Sequence, residues 1–160
     1  MKARGLLYVA GGVLGVYAAA SIIQQVNLLK SSEFKVVSAK KTALTLRGVS
    51  IDLVLSVKNN SGIAFKVFGQ KYDILLNRRS IGHAFSTDVV DILPGKVASF
   101  TVKAYIDFQK FLKAGEAVDW NQILNNVVTI KGGVKTKTFG VLLGYIPVSV
   151  DFKLKDYISL

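Results

Sequence analysis

Residues 5–23 form an uncharged apolar run of nineteen residues, and this run limits the fold of the chain more than any other feature. A helix needs about 20 apolar residues to cross a bilayer, whereas a secretion signal has a shorter core of roughly 7 to 15. Ala18–Ser21 resembles a signal cleavage site, but the apolar run continues to Ile23. We therefore predict that residues 1–30 are a transmembrane anchor and stalk, and that 31–160 form a separate domain.

Small residues recur every four positions in this run, at Gly11, Gly15 and Ala19. This spacing places them on one face of a helix, where small side chains allow another helix to approach closely. We expect the partners to be the lipid bilayer and, through this face, another protein or a second copy of the chain. Basic residues flank the run on both sides, so the side of the membrane that holds the domain stays open.

The composition predicts a folded, basic domain without cysteine chemistry. Hydrophobic residues make up 51% of the chain, there are two prolines, and there is no cysteine, which excludes disulfides, thiolate metal sites and a cysteine nucleophile. The formal net charge is +11, which is compatible with anionic partners such as phospholipid headgroups or nucleic acid. Because the lysines are scattered and form no dense block, the pattern favours an ordinary solvated basic surface over such a partner. Lys131, Lys135 and Lys137 share one face of a predicted strand and are our candidate contacts to an anionic surface.

Alternation of apolar and polar residues predicts about seven strands after residue 31. Turn signals separate several of them, and two short helices are predicted near 108–114 and 119–126. Gly132 and Gly133 predict a bulge within one strand. This pattern favours an antiparallel β-sandwich. The predicted strands cover 34–47, 50–58, 66–76, 83–92, 98–108, 127–137 and 147–156.

Five segments follow one another in a characteristic order and spacing: LVLSVKNNSGIAFKV (53–67), YDILLNRRSIG (72–82), ILPGKVASFTVKAYID (92–107), VTIKGGV (128–134) and GYIPV (144–148). In this order and spacing they resemble the late embryogenesis abundant (LEA) type 2 family, also called the WHy domain. The family often has Asn-Pro in its first turn, where this chain has Asn59-Asn60. The resemblance implies an immunoglobulin- or fibronectin-like sandwich, a role in stress protection or at membranes, and no catalytic residues to carry over.

The residue pattern predicts no catalytic centre, cofactor site or metal site. His83 is the only histidine, and a triad or metal cluster would need companions for it. Residues 59–61 match the glycosylation pattern, which would matter only in a secretory lumen. A hidden enzyme site in the 108–126 insertion is the weakest of our hypotheses, and it would use Asp107, Glu116, Asp119 and Trp120.

These observations predict a non-enzymatic, single-pass membrane protein whose β-sandwich is a structural or protective binding module. The alternative is a structural component of a larger assembly, such as a minor membrane-associated virion protein or a cell-envelope complex. The sequence does not distinguish the binding module from the structural component, because both would use the same anchor and the same β-domain.

Overall fold

A computed structural model of the chain describes residues 31–112, 120–138 and 141–158. The predicted anchor and stalk at 1–30, with Gly11, Gly15 and Ala19, lie outside the described residues. Within the described ranges, no helix is both long enough and apolar enough to cross a bilayer.

The described chain is all-β with short helical turns, and the antiparallel β prediction is confirmed. The strands at 48–59, 65–76 and 97–107 alternate buried and less buried residues over most of their length, because one face of the sheet covers the core. The elements in order are β1 Ser32–Leu44, β2 Gly48–Asn59, β3 Phe65–Leu76, β4 Arg79–Ser86, β5 Val90–Ile92, β6 Val97–Asp107, α1 Gln109–Leu112, α2 Trp120–Asn125, β7 Val127–Thr138, β8 Val141–Lys153 and the 3-10 helix Leu154–Asp156.

The strand predicted at 83–92 is interrupted, which raises the number of strands to eight. β4 and β5 pair with successive parts of β3, and residues 87–89 leave the ladder between them. On the other side of β3, its ladder with β7 shifts register between Phe68 and Gln70, where Gly69 has a φ of 61°. A left-handed glycine is the usual way to insert one extra residue in a strand.

The predicted β-sandwich takes the form of one curled antiparallel sheet, because all eight strands are joined in a single ladder system. The order is β1-β2-β6-β4-β3-β7-β8, with β5 beside β3. The join between β4 and β6 is short, running from Gly82 opposite Ile106 to Phe85 opposite Lys103. Gly82 makes the join possible, since a Cβ there would lie 2.1 Å from the carbonyl oxygen of Tyr105. The two layers of a sandwich therefore become one half-barrel.

The sheet curls until the segment that follows β8 reaches β1 at one point, and the apolar core fills the interior. Ala39 of β1 forms a parallel bridge with Ile158, and its N–H donates to the Tyr157 carbonyl oxygen at 3.0 Å. Large core side chains without exposed surface come from both halves of the sheet and from α2. They include Leu55, Ile92, Ile123 and Ile130.

Gly132 and Gly133 lie in one uninterrupted strand, as expected, but the predicted bulge at this position is wrong. Both ladders of β7 keep their register across the two glycines. Gly132 faces the neighbouring backbone so closely that a Cβ would lie 2.1 Å from the Lys71 carbonyl oxygen. The glycine pair therefore permits close strand packing rather than an extra residue.

The β3–β4 turn yields a first prediction on stability. Asn77 and Arg78 have φ values of 49° and 66°, the two positive angles of a type I′ hairpin turn. Arginine is strained there, so Arg78→Gly is expected to stabilise the domain by about 0.5–1 kcal/mol, in urea unfolding followed by the fluorescence of Trp120. The control Arg79→Gly, in the adjacent strand, should destabilise it; equal effects of the two changes would contradict the turn assignment.

Candidate functional site

One end of the domain gathers the start of β1, the loop 60–64 and the turn 93–96, and we call it the Ser32 end. The N–H of Asn60 donates to the carbonyl oxygen of Ser31 at 2.8 Å, which ties the loop to the beginning of the described chain. The ladders bring the end of β2, the start of β6 and the end of β7 to the same place. The chain therefore leaves the domain toward residues 1–30 at this end.

Asn59 holds the Ser32 end together. Its side chain is fully buried, at 0% exposure. Its Nδ2 donates to the carbonyl oxygens of Ile63 at 2.8 Å and Ile92 at 3.3 Å, and its Oδ1 accepts from the N–H and the hydroxyl of Ser61. All the hydrogen-bonding capacity of the amide is therefore used in folding. In the glycosylation pattern at 59–61, the acceptor atom is Nδ2 of Asn59, and this atom is buried in the folded domain.

The predicted turn at Pro94-Gly95 is a type II β-turn joined to Asn59. The Lys96 N–H donates to the Leu93 carbonyl oxygen at 3.1 Å, and Gly95 has a φ of 69°. Proline followed by glycine is the pair that this turn type favours. Gly95 N–H donates to the Asn59 carbonyl oxygen at 2.7 Å, and Asn59 N–H donates to the Lys96 carbonyl oxygen at 3.0 Å.

A cleft of about 430 Å³ opens beside this turn, between β3, β5 and β7. Phe65 and Ile92 are its buried apolar residues, and Leu93 is exposed at its rim. Two lysines belong to the cleft, Lys66 and Lys137, and the sheet register places them directly opposite each other. Lys66 Nζ lies 3.3 Å from Asp91 Oδ1, whereas Lys137 has no ion-pair partner among the described residues.

The three lysines predicted as anionic contacts lie along the outer side of β7, but they do not converge. Lys131 lies opposite Asp73 of β3, and Lys135 holds its Nζ 5.5 Å from the ring centroid of Tyr145. Lys131 and Lys137 are six positions apart along the strand, which is a distance of about 20 Å at 3.3 Å per residue. Of these three lysines, only Lys137 lines the cleft at the Ser32 end. Lys66 lies opposite it in the β3–β7 ladder. The sequence pattern did not predict the contribution of Lys66.

Electrostatics leave the Ser32 end positive. Its two described carboxylates are already paired, Asp91 with Lys66 and Glu33 with Lys35 at 3.4 Å. Hydrogen bonds from Lys35 and Asn60 hold the pKa of Glu33 below its ordinary value. At this end, Lys58, Lys96 and Lys137 form no ion pair within the described ranges, although Lys58 lies opposite Glu33 in the β1–β2 ladder.

Of the hypothetical enzyme site, the structure describes Asp107 and Trp120, and both serve the local fold. Asp107 accepts a hydrogen bond from the N–H of Gln109 at 2.9 Å, which caps α1. Trp120 packs edge-on against Phe108, with ring centroids 6.3 Å apart. These two rings, with Lys41 and Leu44, line a cleft of about 300 Å³ at the opposite end of the domain. Glu116 and Asp119 lie outside the described residues.

A small polar cluster lies inside the core, away from either end. The Tyr72 hydroxyl donates to Gln70 Oε1 at 3.0 Å, and burial raises the pKa of Tyr72 well above its ordinary value. Gln70 Nε2 and Thr136 Oγ1 have no hydrogen-bond partner in the described part of the chain.

His83 lies on the outer face of the sheet, with its ring tilted against that of Tyr105. The described residues contain no group of three metal-ligating side chains.

Comparison with solved structures concerns the fold alone at these levels of identity. An X-ray structure of a structural-genomics target is 10% identical with a TM-score of 0.50, over 81% of this chain and 92% of its own. A solution structure of a late embryogenesis abundant protein is 14% identical with a TM-score of 0.48, over 92% and 82%. A solution structure from Arabidopsis thaliana is 14% identical with a TM-score of 0.46, over 80% and 83%. No protein-family model and no curated protein sequence matches this chain.

Proposed function

We propose that this chain is a membrane-anchored, non-enzymatic β-domain that acts as a structural or protective binding module. The observation that carries the proposal is the nineteen-residue uncharged run at 5–23, which is long enough to span a bilayer. The described domain begins directly after the stalk, at Ser32, and all of its strands pack around one core. The run would hold the domain beside the membrane, and the domain would supply the binding surface.

The family-like segments support a role without chemistry, because their distinctive residues serve the backbone. Asn59 ties a loop to a turn, and Gly95 supplies the left-handed position of that turn. Gly82 and Gly132 allow neighbouring strands to approach. Side chains committed to the fold are not free to bind or transform a substrate. Descent from the LEA type 2 family is part of this proposal and rests on those segments.

Alkaline carbonate extraction of membranes tests the anchor. We expect the full chain to stay in the membrane pellet, and the variant V13K/V16K to move to the supernatant, because a lysine at the helix centre costs about 3 kcal/mol for insertion. The matched variant V13I/V16I keeps the apolar run and should stay in the pellet. Release of the full-length wild-type chain into the supernatant would rule out the anchor.

A second candidate, a structural component of a larger assembly, is favoured by the open edge of β1. Its last five residues, Lys40–Leu44, are exposed although they lie in a strand, and β1 pairs with β2 alone along this stretch. An unpaired edge can accept a strand from another chain, although lysines there discourage uncontrolled pairing. Native mass spectrometry of the protein purified in detergent tests this candidate. A defined oligomer would support it, and an isolated monomer without symmetric partners would count against it.

A further inference from the structure

The Ser32 end exposes large apolar side chains among lysines. Leu93 is 56% exposed in the type II turn, and Val97 is 61% exposed at the start of β6. Leu142 is 60% exposed in β8, directly opposite Lys137. Val97 lies in the same way opposite Lys58. Apolar residues interleaved with unpaired lysines are typical of surfaces that meet anionic bilayers.

The opposed lysines of the cleft are unfavourable in the protein alone. Like charges directly across a ladder destabilise a sheet, and Asp91 contacts only Lys66. An anionic group in the cleft would relieve this repulsion, because Lys66 and Lys137 could approach it from two strands. The apolar walls at Phe65, Ile92 and Leu93 suit a ligand that is charged at one point and apolar nearby.

We propose that the Ser32 end lies against the bilayer, with Lys66 and Lys137 holding the phosphate of an anionic phospholipid headgroup. Leu93, Val97 and Leu142 then reach the interface between headgroups and acyl chains. This inference rests on the proposed anchor. It adds the face of the domain that meets the membrane and the lipid chemistry that this face recognises.

The length of the stalk favours this end over the other. Residues 24–31 are eight residues, which span at most about 28 Å when fully extended. A strand of twelve residues such as β2 is about 40 Å long. The stalk therefore holds the Ser32 end close to the surface at a high effective concentration, whereas the opposite end, with Leu46 at its tip, lies a strand length further away.

The absence of cysteine from the chain allows single labels to measure which end meets the lipid. We would label Leu93→Cys or Leu46→Cys with an environment-sensitive fluorophore and place the full chain in vesicles of phosphatidylcholine with phosphatidylglycerol. Lipids that carry a quencher near the headgroup should quench the label at position 93 and leave the label at 46 unchanged. In vesicles of phosphatidylcholine alone, the quenching at 93 should weaken.

The double variant K66Q/K137Q should lower docking on anionic vesicles by about 25-fold, at roughly a factor of five for each lysine. The matched variant R78Q/R79Q removes the same charge at the opposite end and should leave the quenching at 93 unchanged. Quenching at 46 rather than 93, equal effects of the two double variants, or no quenching at either site in chains that float with the vesicles would overturn the inference. Chains that fail to float with vesicles would instead refute the anchor itself.

Discussion

Replacing Gly132 by alanine is expected to destabilise the domain by about 3 kcal/mol. This is among the largest effects that we predict for the addition of one methyl group. A Cβ at this position would lie 2.1 Å from the Lys71 carbonyl oxygen and 2.7 Å from the Tyr72 Cα. Both atoms belong to the backbone of β3, so no side chain can rotate away. The two strands must separate, and the β3–β7 ladder in the middle of the sheet is strained.

Urea unfolding of the full chain in detergent measures this effect, with Trp120, the only tryptophan, as the fluorescent probe. Gly62→Ala is the matched control, because nothing lies within 4 Å of its Cβ and the expected change is within about 0.5 kcal/mol. Gly82→Ala should resemble Gly132→Ala, since its Cβ would meet the Tyr105 carbonyl oxygen. Wild-type stability in both tight-glycine variants would contradict the close strand packing.

The second large effect is expected for Asn59→Ala, which should lower the free energy of unfolding by about 3 kcal/mol or more. The substitution removes four side-chain hydrogen bonds and leaves the buried carbonyl group of Ile92 and the part-buried carbonyl group of Ile63 without this donor. A buried acceptor that loses its partner costs about 1–3 kcal/mol. The loop 60–64 and the turn 93–96 should loosen together, because Asn59 joins them.

The neighbouring asparagine provides the control for that experiment. Asn60 is exposed and makes one side-chain bond, from Nδ2 to Glu33 Oε1 at 3.1 Å. Asn60→Ala should therefore change the free energy of unfolding by about 0.5 kcal/mol or less. Hydrogen exchange of the 60–64 and 93–96 amides should rise in the Asn59 variant only. Equal losses in the two variants would show that Asn59 has no special structural role.

The strands were predictable because alternation survives in the sequence wherever one face of a strand is buried. The break at 87–89 was missed, since Phe85, Val89 and Val90 continue the apolar pattern although only part of the segment pairs with β3. The single curled sheet was also missed. It depends on the close approach that Gly82 allows between β4 and β6, and a glycine in a strand does not tell which neighbour comes close.

The candidate site shows the same limit. Alternation placed Lys131, Lys135 and Lys137 on one side of a strand, which is how they lie in β7. The partner of Lys137 could not be found this way, because the opposition of Lys66 and Lys137 depends on the register between two strands about 70 residues apart in sequence. Asn59 appeared as a turn residue by composition, but its bond to Ile92 joins segments that only the fold brings together.

The account depends on an apolar segment that remains part of the chain and stays in the bilayer beside a compact β-domain. The intact mass of the protein recovered from carbonate-washed membranes tests this most directly. We predict a mass that includes the run 5–23 together with the β-domain. Recovery of a chain that begins at Ser21, free in the carbonate supernatant, would contradict it.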